Sequence, residues 1–310
     1  MAADLDPALA VRVRAVADDH LSGASRLTQV AMEILLDAHR VGDGDAAACA
    51  LCAAQPAMAS VWNAAAVAVG ADGLRRLQRL NQQVRRSPRA LARVLTDLLL
   101  TRGEGPRVLA APLVVATVSA SASVRVCLEA LSERTRLEVI CTEARPLLEG
   151  REMAADLVGA GIPTTLCTDV GIGAVMAEAG PALEAVIVGA DAVAPRWFVN
   201  KCGTRHVVEI AASLGVPSYV VGSREKFIAE ILADELRSSR GTSEEVWEHP
   251  PPDVTIANPY FERIPVELVA MFATDAGPIG PASVPELCQS VVSRADSARL
   301  IGIIRLARGG

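Results

Sequence analysis

The chain has 310 residues, 51% hydrophobic and 21% charged, which is ample apolar material for one large or two modest packed domains. A formal net charge of −6 excludes a general polyanion-binding surface but leaves room for one local positive site that takes a small anion. The apolar runs are too short, and too often broken by Gly, Pro or charge, to span a bilayer, and no export signal opens the chain, so a cytoplasmic protein with no membrane partner is expected.

Up to Gly105 the pattern is helical, with apolar residues recurring every three or four positions in Leu27 to His39, Val61 to Val69 and Leu91 to Leu100. Ser22-Gly23-Ala24-Ser25 precedes the first of these runs, where Gly23 permits close backbone approach and helix-start amides can meet an anion; a plain N-cap is the alternative. Cys49-Ala50-Leu51-Cys52 has metal or redox spacing, but no second ligand pair lies nearby, so helix packing is expected and no metal. The seven cysteines are expected to be reduced thiols. Arg75, Arg76, Arg79, Arg85, Arg86, Arg89 and Arg93 follow one another with no intervening acid or aromatic, which reads as a solvated or subunit-facing helical surface and not a nucleic-acid site.

Arg102-Gly103-Glu104-Gly105-Pro106 would end the preceding helix and divides the chain into a helical N-terminal domain, 1–105, and a second domain, 106–310. Beyond it, short β-branched runs alternate with helix-length spacers: Val108 to Thr117, Leu137 to Thr142, Thr164 to Thr168, Val186 to Val188, Ser218 to Val221 and Val254 to Ala257. The predicted fold class is therefore α/β, a helical N-terminal domain followed by a Rossmann-like parallel sheet with helices on both faces. Ligands of such sheets sit at the carboxyl ends of the strands, and Glu143, Arg145, Asp169 and Asp191 all fall just after apolar runs.

No Gly-x-Gly-x-x-Gly fingerprint follows the first strand, so no nicotinamide and no other cofactor is expected. The chain runs instead into Val118-Ser119-Ala120-Ser121-Ala122-Ser123, a hydroxyl-rich turn that suits either a phosphate or a helix cap. Asp191 leaves a buried-type strand, and partial desolvation there would raise its pKa toward a value useful in proton transfer; a helix cap is the plainer role. Lys201 stands out because it and Lys226 are the only lysines in an arginine-rich chain; at an expected helix start, it and Asn200 could fix the Asp191 carboxylate or meet substrate oxygens, or simply form an ordinary helix N-terminal turn. Arg145, between Glu143 and Pro146, could grip a phosphate through its planar fork, or form a structural pair with Glu143.

The segments Cys141-Thr142-Glu143-Ala144-Arg145-Pro146-Leu147-Leu148-Glu149-Gly150, Thr168-Asp169, Gly189-Ala190-Asp191 and Asn200-Lys201-Cys202-Gly203-Thr204 come in a particular order and spacing. They resemble the family that contains the alpha, beta and delta subunits of translation initiation factor 2B, methylthioribose-1-phosphate isomerase and ribose-1,5-bisphosphate isomerase. The resemblance implies a phosphorylated sugar or related small anion as ligand, a catalytic role for Asp191 with Lys201, and ligand contacts from Gly23, Ala24, Ser25, Ser119, Glu143, Arg145, Asp169 and Asn200. It implies aldose–ketose isomerisation of a pentose 1-phosphate, with a non-catalytic binding or assembly protein as the alternative. It also implies a homodimer, for which the aromatic-rich stretch Asn258 to Ile279, with Tyr260, Phe261 and Phe272, is the expected surface.

Two departures bear on activity. Where the isomerases carry a catalytic cysteine, this chain has Ala116-Thr117-Val118-Ser119, so that water, Ser119, Cys141 or Cys167 would have to stand in for the thiol. Between Asp191 and Asn200 the loop Ala194-Pro195-Arg196-Trp197-Phe198 is one residue shorter than the family's, and Trp197 either places a flat surface near the cleft or packs in the core or an interface.

Overall fold

A computed structural model describes residues 5–19, 23–102, 105–106, 112–238 and 240–309. Ser22 lies outside them. The chain opens with five helices, α1 (Pro7–Asp18), α2 (Ala24–Val41), α3 (Gly44–Ala54), α4 (Ala59–Val69) and α5 (Gly73–Leu100). In α2 the buried residues Leu27, Ala31, Ile34, Leu35 and Ala38 recur every three or four positions and so form one stripe. In α5 the buried stripe Leu77, Val84, Leu91, Leu95 and Leu99 leaves six of the seven arginines exposed; Arg76 instead pairs with Asp296 at 2.6 Å. A short hairpin, β1 (Thr101–Arg102) with β2 (Gly105–Pro106), follows at the expected break.

The remaining elements are β3 (Leu113–Thr117), α6 (Ala122–Ser132), β4 (Leu137–Thr142), α7 (Glu149–Gly159), β5 (Thr164–Cys167), α8 (Ile172–Ala179), β6 (Leu183–Gly189), β7 (Ala192–Val193), β8 (Trp197–Lys201), α9 (Thr204–Ser213), β9 (Ser218–Val221), α10 (Glu230–Ala233), β10 (Phe261–Pro265), β11 (Met271–Thr274), β12 (Gly277–Ile279), α11 (Val284–Val291) and α12 (Arg294–Gly309). Seven strands form one sheet in the order β12-β11-β9-β6-β3-β4-β5, parallel throughout except for β12. Strands β10, β8 and β7 form a separate antiparallel sheet.

The side-chain period of two along the central strands decides how the large sheet is covered. Val114, Ala116, Val186 and Val188 join Ile172, Met176, Val207, Val208 and Phe272 on one face. Leu113, Val115, Ala185 and Ile187 join Leu95, Leu128, Leu131, Met153 and Leu157 on the other. Both faces are dry, so these strands read as continuous apolar runs. Phe272 is fully buried and meets Phe198 and Phe227 edge-on, each at 6.0 Å between ring centroids. The third cluster holds α1 to α4 together with Leu300, Ile301 and Ile304 of α12 and Ala192, Ala194 and Val199 of the small sheet.

Three sequence expectations change. Val254 to Ala257 forms no strand; Val254 is exposed, and Pro250, Pro251 and Pro252 upstream remove ladder donors. Asn200 and Lys201 end strand β8 and do not start a helix, which begins at Thr204. The aromatics of the 258–279 stretch serve the protomer itself, with Phe272 in the core and Phe261 packed against the helical cluster. The part of the first apolar run at 107–111 lies outside the described residues.

Candidate functional site

The chain walks from β3 to β4 to β5 in one direction, then crosses back so that β6 pairs with the opposite side of β3. Connections leaving adjacent strands in opposite directions open a crevice at their carboxyl ends. A cavity of about 420 Å³ occupies that position, lined by Val118 to Ala122 after β3 and by Ala190 and Asp191 after β6. Two glycines make it possible. A Cβ on Gly189 would lie 2.7 Å from Ser121 Oγ, and one on Gly150 would lie 1.8 Å from the Thr142 carbonyl oxygen, so larger residues would drive apart the turns that bear Ser121 and Glu149.

Three helices begin at the cavity: α2 with Gly23, Ala24 and Ser25, α6 with Ser121 and Ala122, and α7 with Glu149. Helix starts present unpaired N–H groups and the positive end of the macrodipole, which suits an anion. Ser121 caps α6 by accepting from the Val124 N–H at 3.4 Å, so it fulfils the cap reading of the hydroxyl-rich turn. Ser119 takes the other route. It adopts φ +63, in the left-handed region, and its hydroxyl donates to Glu149 Oε1 at 3.0 Å. Leu148, just before Glu149, has φ +61, so strained backbone lies at both ends of this contact.

Both lysines of the chain line the cavity, and both are buried. Lys201 Nζ is 2.6 Å from Glu149 Oε1 and 5.0 Å from the Tyr260 ring centroid. Asp191 is half-buried, exposed only toward the cavity that it lines; loss of hydration pushes its carboxyl above the usual aspartate range, and Lys226 and Lys201 partly offset this. Its backbone N–H donates to Val199 O at 2.8 Å, which ties the turn after β6 to the small sheet that carries Asn200 and Lys201. Asn200 Nδ2 donates to Thr204 Oγ1 at 2.9 Å. Beside Lys226, Glu225 is wholly enclosed, and burial pushes its carboxyl up although the Ser223 hydroxyl donates to it. Tyr260 donates to Glu245, and burial together with that bond pushes its phenol up, so it remains a protonated donor at the cavity wall.

The cavity therefore brings together Gly23, Ala24, Ser25, Ser119, Asp191, Asn200 and Lys201. It does not bring in Glu143, Arg145, Asp169 or Trp197. Asp169 accepts from the backbone N–H groups of Ala144 at 3.0 Å and Arg145 at 2.8 Å. Glu143 pairs with Arg151 at 2.7 Å. The exposed Arg145 side chain faces a shallow surface formed by residues 244–249 and donates to Glu245 O at 3.3 Å. Trp197 stacks beneath the Arg263 guanidinium at 4.2 Å, away from the cavity lining. Among the other lining residues, Glu149, Lys226, Tyr260 and Arg125 bear polar groups that the sequence motifs do not assign to the site. The scarcity of lysine was the available signal for Lys226. Cys141 and Cys167 do not line the cavity, and burial pushes the Cys141 thiol up to about 11. Val118, fully buried, lines the cavity wall.

Helix starts, two lysines and a desolvated carboxyl surround a cleft at the switch point of this α/β fold, an arrangement whose chemistry suits a small anion. Residues 45–281 match the model of the Initiation factor 2 subunit family, and the chain belongs to that family. It is 36% identical over 154 residues to methylthioribose-1-phosphate isomerase of Rhodopirellula baltica, covering 46% of this chain and 43% of that protein. It is 31% identical over 167 residues to ribose 1,5-bisphosphate isomerase of Methanocaldococcus jannaschii, covering 53% of each. The chain thus spans about half the length of these curated relatives. In fold it is similar to the translation initiation factor eIF-2B of Pyrococcus horikoshii OT3, with TM-score 0.74 and 24% identity over 89% of this chain and 98% of that one. It is likewise similar to 5-methylthioribose 1-phosphate isomerase of the same organism, with TM-score 0.66 and 18% identity over 91% of this chain and 87% of that one. No helix among the described residues is long and apolar enough to cross a membrane.

Proposed function

We propose that the chain is a cytoplasmic aldose–ketose isomerase acting on a pentose 1-phosphate. The observation that carries this reading is a desolvated Asp191 flanked by the only two lysines of the chain, in a cavity onto which three helix starts open. Such a reaction needs a group that protonates the ring oxygen, a group that moves a carbon-bound proton, and donors that hold the enediolate charge. Asp191, whose carboxyl burial pushes above the usual aspartate range, is suited to the first task, and Lys201, Lys226 and the helix amides to the third. The charge balance of the wall favours a single phosphate: Arg125, Lys201 and Lys226 face Asp19, Glu149, Glu152, Asp156 and Asp191. A second phosphate would meet more carboxylate than cation. The apolar patch of Leu27, Ala57, Met58 and Phe261 suits an uncharged end of the sugar.

The cavity lining, which holds no cysteine, favours a second reading, a non-catalytic sugar-phosphate-binding protein. The two part on one assay, NMR detection of ketose 1-phosphate from ribose 1-phosphate or methylthioribose 1-phosphate, run in deuterium oxide to read carbon-two exchange. Product from the parent and a 10²–10⁴-fold lower turnover in Asp191→Asn, with ligand still bound, is the expected result. Binding without product for every phosphate tried would leave only the second reading. We also propose a homodimer; the exposed Val246 and Trp247 support a contact surface there. Sedimentation at micromolar concentration tests it, a monomer alone being the contrary result.

A further inference from the structure

We propose that Glu149 is the second proton-transfer residue of this site and supplies the acid–base function for which the chain has no thiol. The inference rests on the isomerase reading above. It starts from what the cavity wall offers: no cysteine lines the cavity, and Ser119, next to Val118, gives its one hydrogen to Glu149. A serine hydroxyl in that state is a donor and not a base. Glu149 and Asp191 both line the cavity, and Lys201 links the two carboxyls, bonded to Glu149 at 2.6 Å and close enough to Asp191 to oppose the effect of its burial.

The two carboxyl groups occupy opposite electrostatic situations. Asp191 is half-buried and has no direct ion-pair partner among the described residues, whereas Glu149 holds a salt bridge and a hydroxyl donor on the same oxygen, Oε1. Its second oxygen, Oε2, is covered and has no donor. A buried acceptor without a donor is uncommon in folded proteins; the side chain as a whole keeps 23% exposure at the cavity that it lines. The helix of Glu149 is also fixed for the purpose: Gly150 seats it against the Thr142 carbonyl, and Leu148 enters it with positive φ.

The proton traffic balances without a co-reactant. Asp191 gives its proton to the ring oxygen as the C1–O4 bond opens, and Glu149 takes the proton from C2, leaving an enol phosphate across C1 and C2. Glu149 returns that proton to C1 while Asp191 regains one from the C2 hydroxyl, which becomes the ketone. Two protons are delivered, two are removed, and the phosphate stays on O1.

The test begins with the parent enzyme, assayed for ketose 1-phosphate and for deuterium incorporation from solvent. Glu149→Gln keeps an acceptor for Ser119 and Lys201, so it is expected to bind ribose 1-phosphate within about threefold of the parent by calorimetry while kcat and exchange fall 10²–10⁴-fold. Glu149→Ala is expected to regain activity with added formate, a small carboxylate that fits the vacated space. If Glu149→Gln does not fold, Glu149→Asp and the formate experiment carry the test. Cys141→Ser and Cys167→Ser are expected to leave turnover unchanged. Turnover in Glu149→Gln within tenfold of the parent, or a larger loss in either cysteine variant than in Glu149→Gln, overturns the assignment. A parent that makes no product from any pentose 1-phosphate overturns the isomerase reading itself, and this is recorded before any variant is compared.

Discussion

Two sets of strand-end turns in this chain carry the same kinds of residue and spend them differently. At the β3–β6 switch point, Ser119, Glu149, Asp191, Lys201 and Lys226 surround open space, and a carboxylate oxygen is left without a partner. At the ends of β4 and β5, Asp169 is occupied by two backbone N–H groups, Glu143 by Arg151, and Arg145 leans outward over residues 244–249. An acid or base after a parallel strand becomes reactive when the fold withholds its partners and structural when the fold supplies them. The sequence motif is alike in both cases; the difference lies in which side of the switch point the turn faces.

The joint between these regions is where the contrast breaks most easily. Gly150→Ala would place a Cβ 1.8 Å from a backbone carbonyl, and a loss of on the order of 3–5 kcal/mol is expected, measured by urea unfolding. Sharper discrimination comes from the cations. Lys226→Met should weaken ribose 1-phosphate binding by about 1.5–3 kcal/mol, roughly 10–100-fold, whereas Arg145→Ala should shift it less than about twofold. Equal losses in the two calorimetric titrations would show that the β4–β5 turn reaches the ligand after all. Asp169→Ala should cost about 1–2 kcal/mol of stability by stranding two backbone donors, with kcat nearly unchanged.

The smallest effect concerns Glu225. Because burial raises its carboxyl in the folded state, the unfolded chain loses that proton first, so stability is full below the ordinary value of 4.5 and declines as pH rises through the raised one. Glu225→Gln lacks this decline. Its margin over the parent should widen with pH across that window, by on the order of 1 kcal/mol, the size expected for relieving one uncompensated acceptor. A margin flat in pH would show that Glu225 is not titrating there.

Much of this was legible in the residues. Helical spacing gave α2, α4 and α5, β-branched runs gave β3, β4, β5, β6 and β9, and the Gly-Ala-Asp turn placed Asp191 at a strand end. Strands β8 and β10 escaped because Trp197–Lys201 and Phe261–Pro265 mix charge with apolar residues and gain their order from pairing with each other. Glu149 escaped for a different reason. As one acid among many at a helix start, it acquires meaning only when Lys201, 52 positions later in the chain, is brought to it by the small sheet.

Helix α12 has a consequence for how the protein is made. Leu300, Ile301 and Ile304 complete the cluster formed by α1 to α4, and Asp296 ties α12 to Arg76. During vectorial synthesis the first helices leave the ribosome long before that surface exists, and a nascent chain stopped after β12 already contains every lining residue of the cavity. Its helical wall would nonetheless stand half-solvated until about residue 304 is free to dock, so the cavity is completed by the emergence of α12 and not by the sheet that carries Asp191.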